Sequence, residues 1–123
     1  MSNFSVAFRD AGTATILAVC GELDAHTAPE LESAIKKCRD EGKSHLIVNG
    51  SELDYISSAG LGVFMAFIEE IRTLGGDIKI CALKPRIFDV FDLLGFPKIY
   101  HIVETEEEAL SLFEQGIQPI QGD

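Results

Sequence analysis

The spacing of apolar positions changes several times along the chain, and each change marks an element. Residues 4–9, F-S-V-A-F-R, alternate apolar and polar like an edge strand with one wet face. Asp10, Ala11 and Gly12 supply turn chemistry, and T-A-T-I-L-A-V-C at 13–20 reads as a second strand, so the chain opens with a hairpin. A loop follows at 21–26. Thr27 with Glu30 three positions later is a capping-box signature, and Pro29 is tolerated in a first turn. Leu31, Ala34, Ile35 and Cys38 then recur at helical spacing until Gly42 closes the helix. His45-Leu46-Ile47-Val48-Asn49 is the short apolar run expected of a central strand covered on both faces.

At 54–62, D-Y-I-S-S-A-G-L-G, the pattern passes into a helix over 59–74. Wound at 100° per residue, Leu61, Phe64, Phe67, Ile68, Ile71 and Leu74 share one broad face. Gly62, Ala66, Glu69 and Thr73 lie opposite, Met65 and Val63 stand at the two edges, and Ser58 points to the side of Gly62 and Met65. Glycine inside a helix costs about 1 kcal/mol relative to alanine. Gly60 and Gly62 therefore require either close packing on the sheet or close approach of a partner, and the outward phase of Gly62 favours the partner. The alternative is a small-residue face that merely meets water.

Gly75-Gly76 stops this helix and Asp77-Ile78-Lys79-Ile80-Cys81 is a further strand. Pro85 starts a third helix through Phe88, Phe91 and Leu94, closed by Gly95, and a last short strand is expected at 98–102. Thr105 with Glu108 forms a second capping box ahead of a helix through Ala109, Leu110 and Phe113, and residues 116–123 form a tail expected to fray. The order β-β-α-β-α-β-α-β-α predicts one α/β domain over residues 1–123, with an ordered core at about 4–115. Its sheet should be mixed and mostly parallel, with about five strands, four helices and an N-terminal β-hairpin.

Composition narrows the function. A net charge of −10, with the bases scattered as Lys36, Lys37 and Arg39 on one segment and Lys84 and Arg86 on another, argues against a nucleic-acid or anionic-membrane surface. M-S-N-F-S-V-A-F-R-D lacks the basic and apolar regions of a signal peptide, and no apolar run reaches the about 20 residues that span a bilayer, so a cytoplasmic chain without membrane insertion is expected. Cys20, Cys38 and Cys81 form no C-x-x-C pair and read as buried reduced thiols. With His26, His45 and His101 scattered, neither a metal site nor a cofactor is expected.

Four chemistries can be tried on the serines. Ser58, just before Ala59, is well placed to cap the helix. A nucleophile elbow would need glycine two positions ahead of Ser58, where Ile56 stands, and the order Ser58, Asp92, His101 carries little weight by itself. No Lys-Ser or Lys-Thr pair completes a phosphate loop, and Met65 occupies the place of the third glycine of a dinucleotide motif. The remaining possibility is a modified residue. A phosphoserine at a helix start meets free N–H groups and the positive end of the dipole, while its added charge of about −1.5 to −2 would repel or desolvate against a partner.

Gly21-Glu22-Leu23-Asp24 and Tyr55-Ile56-Ser57-Ser58-Ala59-Gly60-Leu61-Gly62, with Gly75-Gly76 and Phe91-Asp92-Leu93-Leu94-Gly95-Phe96, make the chain resemble single-domain STAS proteins of the anti-sigma factor antagonist family over nearly its whole length. The resemblance implies a binding protein with no catalysis of its own. Its partner would be an anti-sigma factor with ATP-dependent serine kinase activity, bound in the unmodified state so that a sigma factor is released. Phosphorylation of Ser58 would end that binding, and a serine phosphatase would restore it. Asp24 matches a family position beside the phosphoacceptor. The implied partner surface takes in Asp24, Ser57, Gly60, Gly62, Met65, Ala66 and Glu69. The best-known members carry Asp directly before the phosphoacceptor, where this chain has Ser57, a competing acceptor. Other STAS domains are constitutive scaffolds in stress-signalling complexes or subunits of transport systems, and in that role Ser58 would be only a helix cap.

Overall fold

Two long parallel strands, β2 (Ala14–Leu23) and β3 (His45–Ile56), form the middle of the molecule. The computed structural model describes residues 4–121, so the first three residues of the N-terminal segment and the last two of the tail lie outside it. β1 (Ser5–Ala11) pairs antiparallel with β2 as the expected hairpin, while β4 (Asp77–Cys81) and β5 (Ile102–Val103) continue the sheet in parallel, giving the order β1-β2-β3-β4-β5. Four helices connect and cover these strands: α1 (Ala28–Asp40), α2 (Ser58–Thr73), α3 (Pro85–Leu93) and α4 (Glu106–Glu114).

The alternation of side chains along each strand sorts the core into two layers. Leu17, Val19, Leu46, Val48, Ile78 and Ile80 face α1, α2 and α3, where they meet Leu31, Ile35, Phe64, Ile68 and Phe91. The other face is smaller: Ala14, Ile16, Ile47 and Cys81 pack beneath Ala109, Leu110 and Phe113 of α4. Arg9 clamps α4 down through both oxygens of Glu106, at 2.8 Å each, and Asn49 donates to the same carboxylate at 2.6 Å. The Arg9 hydrogen bond holds the Glu106 carboxyl below its ordinary value.

Several expectations are corrected. β3 does not stop at Asn49, and residues 21–23 are strand rather than loop, because β2 and β3 keep pairing as far as Leu23 and Ile56 across two register shifts. β4 reaches only to Asn49 on its side, so the last part of β2 and β3 projects beyond the sheet as a two-stranded arm. The Thr27 capping box does not form. The Thr27 hydroxyl donates to the Glu22 carbonyl at 2.7 Å, and Asp24 supplies the acceptors instead. The second box is real, with the Thr105 hydroxyl accepting from the Glu108 N–H at 3.1 Å. Residues 98–101 are not strand: a 3-10 turn at Phe96–Lys98 swings Tyr100 into the core. There Tyr100 stacks on Phe96 and donates to the Phe64 carbonyl at 2.7 Å. Leu74 and Leu94, placed inward by periodicity, fall at helix ends and are exposed. Cys38 and Cys81 are buried, but Cys20 is exposed on β2. No helix among the described residues is long and apolar enough to cross a membrane. Residues 116–121 carry no regular structure, with the Ile120 carbonyl accepting from Arg72 at 3.3 Å.

Beneath α4 lies a polar cluster that the apolar pattern of β4 conceals. Lys79, fully buried, donates to Asp77 and to the His101 Nδ1, each at 2.9 Å, and its ammonium lies 4.6 Å from the centre of the Phe113 ring. Arg72 meets the other Asp77 oxygen at 2.9 Å. Burial, reinforced by the charge of Lys79, pushes the His101 imidazole below its ordinary value although Asp77 opposes the shift. The folded protein therefore favours neutral His101, and the unfolded chain takes up the proton first as pH falls. Stability that His101 contributes above about pH 6.5, the ordinary imidazole value, should decline below it. Denaturant titrations across that range should show a weaker pH dependence in His101→Gln than in the parent chain.

Candidate functional site

The two-stranded arm carries the candidate residues at its tip. β2 ends at Leu23, whose carbonyl accepts the Ser57 N–H at 2.9 Å, and this bond sets the start of α2 against the start of the Asp24 turn. Asp24 organises that turn twice over. Its carbonyl accepts from the N–H groups of Thr27 and Ala28, and its carboxylate accepts from the N–H of His26 at 2.9 Å and of Thr27 at 3.1 Å. Burial pushes the Asp24 carboxyl up, but these donors and the Thr27 hydroxyl outweigh it and hold the group below its ordinary value. The carboxylate thus stays charged at the arm tip while serving as a local scaffold.

The arm is braced from one side. Lys84, just before α3, pairs with the Asp54 carboxylate, and Arg86 donates to the Asp54 carbonyl at 2.9 Å. The Lys84 hydrogen bond and charge hold the Asp54 carboxyl below its ordinary value. Exposed Glu22, Glu52 and Tyr55 complete the outer surface of the arm. Tyr55, 51% exposed, is absent from the sequence-based set. The signal for it was the alternation with Ile56, which points a large aromatic ring outward next to the serines.

The two serines differ in a way opposite to the capping expectation. Ser57, not Ser58, holds the cap position of α2, and its hydroxyl makes no capping bond. That hydroxyl is buried and has no hydrogen-bond partner among the described residues. Ser58 is the first helical residue and is exposed, and no hydrogen bond engages its hydroxyl within the described chain. The N–H groups of Ser58, Ala59 and Gly60 belong to the first turn, where helix geometry provides no acceptor.

The two glycines also separate. A Cβ on Gly60 would lie 2.6 Å from the Leu23 side chain, so Gly60 packs the helix onto the arm and does not reach the surface. A Cβ on Gly62 would meet nothing within 4 Å. Gly62, Met65, Ala66 and Glu69 form one exposed strip leading from Ser58 along α2, with Met65 46% exposed. Asp24, Ser57 and Ser58 sit at its head. The Ser58, Asp92, His101 order of a hydrolase is not assembled. The His101 ring is committed to Lys79, whose strand runs beside Ile47. From there β3 continues for nine residues, roughly 30 Å of extended chain, before it reaches the serines.

The STAS domain model matches residues 5–109. An anti-sigma-B factor antagonist of Staphylococcus epidermidis is 34% identical over 89 residues, covering 72% of this chain and 82% of that protein. The solved structure of an anti-sigma factor antagonist from Mycobacterium paratuberculosis aligns with a TM-score of 0.82 at 25% identity, over 90% of this chain and 94% of that one. The Bacillus cell fate determinant SpoIIAA, solved in a phosphorylated form, shares the fold with a TM-score of 0.67 at 22% identity, over 89% of this chain and 98% of its own.

These placements make four alanine substitutions diagnostic. Ser57→Ala and Ser58→Ala should leave thermal stability unchanged or slightly raised, since neither hydroxyl makes a bond among the described residues. Gly62→Ala should stabilise by about 0.5–1 kcal/mol, because the added methyl enters open space on a helix. Gly60→Ala should destabilise clearly by forcing Leu23 aside. Chemical denaturation of the four variants reads all of these.

Proposed function

The chain belongs to the STAS-domain family, alongside curated anti-sigma factor antagonists, and from that premise we propose that it is itself an antagonist switched at Ser58. In this reading the unmodified arm tip and the strip of Gly62, Met65, Ala66 and Glu69 bind an anti-sigma factor that is also an ATP-dependent serine kinase, and the sigma factor is released. The observation that carries it is the free, exposed Ser58 hydroxyl at the first turn of α2, at the head of a strip with no side-chain bulk at Gly62. In the transfer, the Ser58 Oγ bonds the γ-phosphorus of ATP, the bond to the departing ADP breaks, and the hydroxyl proton passes to a base on the kinase.

The switch acts through the surface. A phosphoryl group on Ser58 gains the unpaired first-turn N–H groups and the helix dipole, so the folded chain accommodates it. A partner pressed against the strip would instead have to desolvate a group of charge about −1.5 to −2, next to the carboxylates of Asp24 and Glu22. Release follows from that cost, and a serine phosphatase reverses it. The reading extends to this chain what the SpoIIAA structure records for SpoIIAA, the existence of a phosphorylated form. The capping role required by a purely constitutive scaffold loses its main support, since Ser58 makes no capping bond.

Incubation with the cognate kinase and ATP, followed by peptide mass spectrometry, should locate phosphate on Ser58 and leave Ser57, with its buried hydroxyl, unmodified. Ser58→Asp should weaken binding to the anti-sigma factor on the order of tenfold or more while leaving thermal stability nearly unchanged. Absence of phosphate on Ser58, or full binding by Ser58→Asp, would defeat the proposal.

A further inference from the structure

The sheet ends at β5 in an open edge. The Ile80 N–H donates to the His101 carbonyl at 3.0 Å and the Ala82 N–H to the Val103 carbonyl at 3.2 Å. With those carbonyls facing β4, the N–H and C=O groups of Ile102 turn the other way, and Glu104, in the bend that follows, has its own main-chain groups unpaired among the described residues. β5 is the outermost strand on that side, and among the described residues these outward groups have no partner.

Each face of this edge carries a groove. One, of about 680 Å³, lies among Leu83, Pro85, Phe88 and Ile102. The other, of about 390 Å³, lies among Val103, Ser111 and Leu112, with Glu107 and Glu108 on its border. Ile102 packs with the larger core layer and Val103 with the smaller, and Val103 borders both grooves, so the two meet along the edge strand. A strand laid beside β5 would send successive side chains alternately into one groove and the other.

The border is acidic. Glu104, Glu107 and Glu108 are exposed, and none is in a salt bridge among the described residues. Lys84 and Arg86, which flank Pro85 at the far end of the larger groove, are both engaged with Asp54. A second copy of this chain would bring the same carboxylates, within a net charge of −10, against this border.

We propose that the β5 edge is a second docking site, distinct from the α2 strip. Its occupant is an extended segment of another protein in which apolar residues alternate with Lys or Arg. The main chain of that segment adds to the sheet, its apolar side chains enter the larger groove, and its cations, on the opposite face, meet Glu107 and Glu108 beside the smaller one.

The test is a nuclear magnetic resonance titration of the isotope-labelled chain with a terminally blocked Val/Lys alternating heptapeptide. Ser/Lys and Val/Glu heptapeptides serve as controls for charge alone and apolarity alone. The Val/Lys peptide should shift the amide signals of Ile102 and Glu104 and slow their hydrogen exchange, whereas both controls should leave them nearly unmoved. Glu104→Pro removes one outward N–H without touching the bonds to β4, and should reduce affinity about tenfold. Glu107→Lys combined with Glu108→Lys alters no main-chain group and should reduce it by about as much, so a folding defect in the proline variant would not hide the result. The proposal is overturned if the Val/Lys peptide leaves residues 102–104 unmoved, if the Ser/Lys peptide moves them equally, or if sedimentation shows the chain pairing with itself through this edge.

Discussion

The parallel pairing of β2 with β3 is the constraint on which the rest of the molecule depends. It runs beyond the point where β4 ends, and its last rungs, Glu22 with Tyr55 and Leu23 with Ile56, carry two chain reversals side by side. One reversal becomes the Asp24 turn and the other the start of α2. Because the Ser57 N–H is bound to the Leu23 carbonyl, the two starts cannot separate without breaking that rung. Asp24 and Ser58 are neighbours because of sheet register, although they stand far apart in sequence. The Lys84 and Arg86 contacts to Asp54 then keep the overhanging arm from swinging as an unsupported hairpin.

On this frame, α2 has two unlike faces with unlike tolerances. Its inner face is filled by Leu61, Phe64, Phe67, Ile68 and Ile71 and admits nothing larger, as the Gly60 contact with Leu23 makes plain. Its outer face begins with a free hydroxyl and an open glycine. Chemistry can be added to that face without disturbing the core, which suits a surface that must be read by another protein. The buried Ser57 hydroxyl is the one element that fits neither description. Although the cap position faces helix N–H groups, among the described residues the serine oxygen has no partner.

Much of this was legible from residue spacing, and the exceptions have physical causes. The helical period over α2 is long and clear, so the core stripe and the outward Gly62 and Ala66 could be read directly. The second half of β3 could not. Asn49-Gly50-Ser51-Glu52 has turn chemistry, and pairing with Ala18 and Cys20 of β2 and with Cys81 of β4 holds it extended. Thr27 and Glu30 have capping spacing whichever way the threonine points, and the Glu22 carbonyl, brought close by the strand, takes the hydroxyl. Likewise the cap position falls on Ser57 and not Ser58, a one-residue difference that propensity does not resolve but that decides which hydroxyl is exposed. Lys79 among apolar neighbours gave no sign in sequence of the carboxylate, imidazole and aromatic ring that surround it.

The hydroxyl of Tyr100 has a mechanical consequence for the surface on the far side of α2. It bonds the carbonyl of Phe64, less than two turns from Ser58, while the other end of that span is fixed by the Ser57 bond to Leu23. A helix pinned at two points along its axis can neither slide nor rotate in its bed. The strip beyond it is therefore a rigid printing plate: a mark made at its head changes what the surface says while leaving its relief where it was.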